Sequence, residues 1–306
     1  MGSWGPGLYS DDTAQELRDL IKTLMRLPKD GEDLLRVILE YVPADDPDDD
    51  TYSTVWLVIA DQFHRYGITY QPVFDQAREI IEEGLDDALM ARLSMSERDR
   101  SKRRAQLDDR LLAWSKPPGK IANRRILNSP QRHPVSPGDI WFYPTKDGNP
   151  VNTFDPAAYT AEHFHPDGWA AFAIARNEHR LGLFPVSYFI RLHVDAKSKP
   201  TLESCRLAPI TGMIIKSFGV DPDPRPCAGW APITSSIIKK IGAQKAGAVE
   251  LSWSKIEKRL ILTDFDPKNE PPALYHGLFV SNKSGPDPEY WDYPVELEAR
   301  LSDLMV

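Results

Sequence analysis

Cysteine is scarce in this chain. Cys205 and Cys227 are the only two in 306 residues, and no CxxC pair sets thiols at ligand spacing. That excludes a disulfide scaffold and an all-cysteine zinc centre, and it leaves both thiols as small, buried apolar groups. Long apolar runs are missing as well. No stretch approaches the roughly 20 residues that span a bilayer. The opening residues lack the basic flank and apolar core of a signal peptide, so a cytoplasmic protein is expected. Pro6 stands where an N-myristoylation signal has Ser or Thr, which argues against a lipid on Gly2. The chain has no P-loop, GxGxxG, GxSxG elbow or HExxH. A glycine loop cradling phosphate, an activated serine and a helix-borne zinc site therefore lack sequence support. No cofactor is expected and no catalytic residue is assigned.

What is present suits a two-part globular protein. The length exceeds that of a typical single core, and 41% hydrophobic with 27% charged residues is ordinary globular composition. The net charge of −8 is unevenly spread: residues 98–125 hold ten basic side chains against three acidic ones, a local +7, so the remainder carries −15.

Helical spacing dominates the first third. Ser10, Asp11, Asp12 and Thr13 offer caps, and Ala14, Leu17, Leu20, Ile21, Leu24 and Met25 then recur on one face. A second helix is predicted over 32–41. Residues 44–50 hold five aspartates and a proline, the signature of a solvated loop. The apolar run from Thr54 to Ala60 continues through Phe63 to Gly67, which favours a central buried helix over a strand. A fourth helix follows Pro72, a short fifth covers 85–93, and a sixth opens at Ser96, with Asp99 at capping-box distance, and runs to Trp114. This last helix has few apolar residues and is expected to pack only by its C-terminal half.

Residues 116–137, rich in proline and basic side chains, read as an inter-domain linker. From Gly138 the period changes to two. Strands are predicted over 139–143, 169–175 and 180–184, the latter two flanking a turn at Arg176 to His179. Further strands are predicted over 187–194, 211–218, 248–253 and 259–265, with a turn over 146–149 and a helix over 233–241 capped by Thr234 or Ser235. The expected fold class is therefore α+β: a helical domain over 1–115, the linker over 116–137, and a β-rich domain over 138–306, built as a barrel-like or antiparallel sheet.

Three stretches are candidate sites. His163, His165 and Asp167 form an HxH-P-D cluster whose imidazoles would share one side of an extended segment, a weak pattern for a metal because no further ligand stands at suitable spacing. Arg100, Lys102, Arg103 and Arg104 could neutralise phosphates. Only Trp114 is available there for base stacking, so the favoured expectation is that this helix docks on acidic surface of the C-terminal domain. The opening residues Gly2, Trp4, Gly5, Gly7 and Asp12 form the third stretch, with glycines that let backbone pack on an indole, and Trp4 is expected to be buried.

That opening, with Tyr9 where Phe is common, Asp11 or Asp12, and Ala14, resembles the N-terminal pattern MGxWGxGxFxxDxA of the bacterial family called domain of unknown function 4259. The resemblance is specific over the first 14 residues and extends through the helices to about Leu93. The family has no established activity, so it implies no catalytic residues. In the second half, Gly138-Asp139-Ile140-Trp141-Phe142 with Gly168-Trp169 resembles the small β-barrel immunity proteins of bacterial toxin systems. That resemblance implies a protein that binds and blocks a toxin. The expected function is thus a cytoplasmic protein-interaction protein, an immunity-type inhibitor with a toxin as partner. The alternatives are an enzyme with a cleft between its modules and a nucleic-acid binder acting through 98–125. Nucleic acid and membrane are not the expected partners.

Overall fold

A computed structural model describes residues 5–146, 164–214, 228–231, 233–260 and 293–306. The fold is α+β. Two compact units divide between Ser129 and Pro130.

The first unit is a helical bundle of α1 (Asp12–Leu24), α2 (Gly31–Tyr41), α3 (Tyr52–Arg65), α4 (Gln71–Glu82), α5 (Leu85–Arg92) and α6 (Glu97–Trp114). Short polar side chains start several of them: Asp11 accepts from the Ala14 amide at 2.6 Å, Asp30 from Asp33 at 2.9 Å and Ser96 from Asp99 at 3.2 Å. Helix α3 is the hub, touching α1, α4, α5 and α6. Its Val55, Leu57, Val58, Ile59, Ala60 and Phe63 are fully buried, which is why its apolar pattern wraps all round and carries no solvent stripe.

The stretch read as a linker is divided between the units. Within the first, Arg124 donates to the carbonyls of Met25 (2.9 Å), Leu27 (2.8 Å) and Lys29 (2.9 Å), satisfying acceptors left over where α1 ends. Backbone bonds from Ala122 to Arg65 O and from Leu127 to Arg26 O, both 2.9 Å, hold the same stretch down. The rest of that stretch, from Pro130 to Pro137, belongs to the second unit, where Val135 is buried.

The second unit is an antiparallel sheet of β1 (Asp139–Thr145), β2 (Gly168–Arg180), β3 (Phe184–Leu192), β4 (Pro209–Ile214), β5 (Gly229–Ala231), β6 (Gln244–Ala248) and β7 (Tyr293–Arg300). The order is β6-β1-β2-β3-β4-β7, and β5 also pairs with β3. Beyond β6 and β7 the chain pairs again: Leu251 bridges Met305, Ser252 N donates to Leu304 O at 2.7 Å and Val306 N to Glu250 O at 3.0 Å. Those contacts draw the two ends of the sheet together and curl it toward a barrel. Short helices α7 (Leu202–Leu207), α8 (Ser235–Lys240) and α9 (Trp253–Glu257) accompany it. Tyr143, Phe172, Ile174 and Phe189 of the sheet bury one face with Val135, Ile233 and Ile241, while Ile237 and Ile238 of α8 pack alongside. Thr234 caps α8, accepting from Ile237 N at 3.2 Å.

Several sequence expectations are corrected here. Arg176 to His179 do not turn; they continue β2, and the hairpin tip is at Leu181 and Gly182, with φ of 49° and 69°. Two successive positive φ values make the tight turn whose twist matches that of the strands. The polarity of 176–179 had a different cause: Asn177 donates to Val135 O and accepts from Ser187 Oγ, both at 2.7 Å. The strand expected over 248–253 ends at Ala248, and α9 begins at Trp253. Helix α7, with its Thr201 capping box, and strand β7 have no counterpart in the sequence-based expectations. Helix α6 also packs by its N-terminal half, through Arg103. Residues 147–149, 215–218 and 261–265 of the predicted turn and strands lie outside the described residues.

Gly138 shows how tightly the second unit is joined. Its φ is +85°, and an added Cβ would stand 2.1 Å from the Val249 carbonyl oxygen. The close approach is fixed by Gly138 N to Ile174 O at 2.7 Å and Val249 N to Gly138 O at 3.0 Å. Gly182 also has positive φ but open space around it. Gly182→Ala should therefore cost only about 1–2 kcal/mol for the left-handed backbone. Gly138→Ala should cost clearly more, because β1 and β6 must separate to admit the methyl. Urea unfolding followed by tryptophan fluorescence distinguishes the two, and equal losses would mean that the Val249 contact yields freely.

Candidate functional site

The first unit distributes its charges in a way the sequence did not reveal. In α6, Arg103 is 1% exposed and makes a bidentate pair with Asp86 of α5, Nε to Oδ2 at 2.8 Å and Nη2 to Oδ1 at 2.9 Å. Its Nη1 donates to Gly7 O at 3.0 Å. Arg100 and Arg104 converge on Asp87 at 3.0 and 2.8 Å, Arg100 also pairs with Glu97, and Lys102 pairs with Asp99 at 3.5 Å. Arg110 pairs with Asp61 of α3. Five of the helix's basic side chains thus pair with carboxylates of its own helical unit. Arg100, Lys102, Arg103 and Arg104 find their carboxylate partners within the helical unit itself. The sequence did hold a signal: Arg103 precedes Leu107 by four residues and Trp114 by eleven, all three on the buried face.

The opening residues are tied into the same network. Gly7 gives its carbonyl to Arg103 and to Ser10 N, the latter at 3.0 Å, and a Cβ there would meet Ser10 Oγ at 2.8 Å. Gly5 is similarly close to Ser10, at 3.3 Å. The Tyr9 hydroxyl donates to Asp61 Oδ2 at 2.5 Å and accepts from Gln62 Nε2 at 2.6 Å. Burial, and then the Asp61 carboxylate, push the Tyr9 phenol well above its ordinary range, so it stays a donor. Asp12 is the first residue of α1, and Asp11 supplies the cap. Gly2 and Trp4 lie outside the described residues.

With Arg103 buried and Arg100, Arg104 and Arg110 paired, the loop over 45–50 stands out. It is ordered by its own turns: Asp49 N donates to Asp46 O at 3.1 Å, Asp46 Oδ1 accepts from Asp48 N at 3.0 Å, and Asp49 Oδ1 accepts from both the amide and the hydroxyl of Thr51 at 2.7 Å. The Thr51 bonds hold the Asp49 carboxyl below its ordinary value. Trp56 Nε1 donates to Ala44 O at 3.1 Å and fixes the base of the loop. Asp45, Asp46, Asp48, Asp49 and Asp50 are all exposed. Among the described residues one cation, Arg92, pairs with them, at 3.1 Å from Asp50. Next to the loop, the Tyr52 hydroxyl accepts from Gln76 Nε2 of α4 at 3.1 Å, and burial, then the charges of Glu79 and Glu83, raise its phenol pKa. The exposed carboxylates of this loop make an acidic face.

The remaining candidates are not assembled into a site. His165 is exposed, Asp167 N bonds Thr145 O at 2.9 Å, and His163 lies outside the described residues. No group of three His, Cys, Asp or Glu among the described residues is placed to hold a metal ion. Cys205 is buried in α7, where burial pushes its thiol up to about 11, so it stays protonated at neutral pH. Cys227 lies outside the described residues. No helix among the described residues is long and apolar enough to cross a membrane. No family model, curated protein or solved structure matches the chain.

The Arg103–Asp86 pair yields a stability prediction. Asp86→Ala strands a buried guanidinium and should cost about 3–5 kcal/mol, whereas the double change Asp86→Leu with Arg103→Met removes both charges and should recover much of that loss. Urea unfolding followed by far-ultraviolet circular dichroism checks it. A double variant no more stable than Asp86→Ala would show that the Gly7 carbonyl, and not the stranded charge, sets the cost.

Proposed function

We propose that this protein is a cytoplasmic interaction protein that binds a basic protein partner through the acidic face of its helical unit, as an immunity-type inhibitor of a toxin. The carrying observation is the sorting of charge. Arg100, Arg103, Arg104 and Arg110 are paired with Asp86, Asp87 and Asp61, while the exposed carboxylates of Asp45, Asp46, Asp48 and Asp49, held by a turn network, make no ion pair among the described residues, Arg92 reaching only Asp50 and the Asp48 carbonyl. An ordered cluster of like charge is costly in isolation, and a basic surface relieves that repulsion. Such a face steers a cationic partner into encounter and repels a phosphate backbone. The resemblance of the strand opening at Gly138-Asp139 to immunity proteins points the same way. An inhibitor needs only to cover its target's functional surface, which asks for complementarity and no reacting group.

The test is binding and protection with the product of a toxin-like reading frame adjacent to the gene. The association rate of the full chain should fall at least about tenfold on raising salt from roughly 50 to 300 mM. Asp45→Lys, Asp48→Lys and Glu83→Lys together leave the carboxylates of Asp46 and Asp49 in place to order the loop. This triple change should slow association further and abolish protection of cells expressing that product. Absence of a complex, or a complex indifferent to both salt and reversal, would overturn the proposal.

A further inference from the structure

The second unit holds a pair of imidazoles that the acidic face does not use. Residues 130–135 run as a strap along the end of the β2–β3 hairpin. Gln131 N donates to Leu183 O at 3.0 Å, the Asn177 amide donates to Val135 O at 2.7 Å, and His179 Nε2 lies 2.7 Å from Gln131 O. The carbonyl can only accept, so His179 carries its proton on Nε2 and presents Nδ1 as a lone pair. No described residue bonds that Nδ1. Across the strap, His133 brings its ring centroid within 4.5 Å of His179 at an interplanar angle of 63°. His133 Nδ1 is buried and has no hydrogen-bond partner.

A buried, unpartnered ring nitrogen on an imidazole packed against a second imidazole is costly unless something fills it. We propose that His133 and His179 form a two-imidazole site for a borderline divalent transition-metal ion, copper(II) or nickel(II), which fastens the strap to the hairpin. The separation favours those ions over zinc. Metal–nitrogen bonds of about 2.0–2.1 Å place each ring centre roughly 3.2 Å from the ion. Ring centres 4.5 Å apart then subtend about 90° at the ion. That is the cis angle of square-planar or octahedral coordination, and tetrahedral zinc prefers a wider one. The Gln131 carbonyl plays the part of the outer acceptor that fixes a ligating histidine's tautomer and ring plane. Two protein ligands leave the other positions to water, so the ion serves as a clasp between strap and hairpin.

The experiment uses the full chain, copper(II) and nickel(II) as separate probes, and calorimetry with copper(II) electron paramagnetic resonance. The expected result is one saturable ion per chain, two equatorial nitrogens in the copper spectrum, and a metal-dependent rise in the thermal midpoint of the β unit. His133→Ala and His179→Asn should each weaken binding by about tenfold or more and remove the thermal effect. His179→Asn keeps an N–H for Gln131 O, so a folded but non-binding variant separates lost ligation from lost structure. His165→Ala should leave binding unchanged. Binding that survives both substitutions, disappears with His165→Ala, or never saturates would overturn the proposal.

Discussion

Burying a guanidinium is tolerable only where each of its nitrogens finds a partner, and Arg103 meets that condition by joining α6 to α5 and to the opening residues. Asp86 of α5 takes two N–H groups, and the Gly7 carbonyl takes a third. In a low-dielectric interior these bonds are strong and their loss is heavily penalised, so the arrangement acts as a register device. It fixes α6 against α5 and holds the opening residues over both. The Tyr9–Asp61–Arg110 chain repeats the logic at α3, with a phenol that cannot ionise in the ordinary range linking the same opening to the central helix. Gly5 and Gly7 are therefore explained by the close approach of the Ser10 side chain, and Gly7 also by the carbonyl it gives to Arg103.

That internal pairing shapes the surface as much as the interior. Carboxylates of α3 and α5 are spent on arginines of α6, and the aspartates between α2 and α3 are left to solvent. A chain of net −8 thus carries a concentrated acidic face even though its most basic segment lies in the same unit. The proposed binding of a basic partner follows from this partition of charge. Total charge alone would predict only a diffuse field.

The second unit relies on backbone closeness where the first relies on buried charge. Gly138 joins β1 and β6 at a distance no side chain permits, and the pairing of Leu251 with Met305 draws the ends of the sheet together. The strap over 130–135 adds side-chain and backbone bonds to the hairpin, and it brings His133 onto His179. These contacts join residues far apart in sequence, so the geometry they create is invisible to local pattern.

The sequence by itself determined the helices of the first unit and α8 of the second, though not α7 or α9. Their apolar spacing is local, and Ser96, Asp11 and Thr234 cap helices for reasons contained within four residues. It also determined the α+β class, through the change of period at Gly138. The hairpin tip was misplaced because the polarity of Arg176 to His179 serves a strand whose Asn177 and His179 bond the strap, a demand that local composition cannot express. Strand β7 escaped because its partner β4 is far away in the chain. The tertiary structure alone decided which charges are free. Arg103 and Lys102 are adjacent and chemically alike, yet one is buried on Asp86 and the other half in water beside Asp99. It decided the acidic face for the same reason, since a carboxylate's availability depends on whether a distant arginine reaches it. Charge interactions act through space, and only the fold sets those distances.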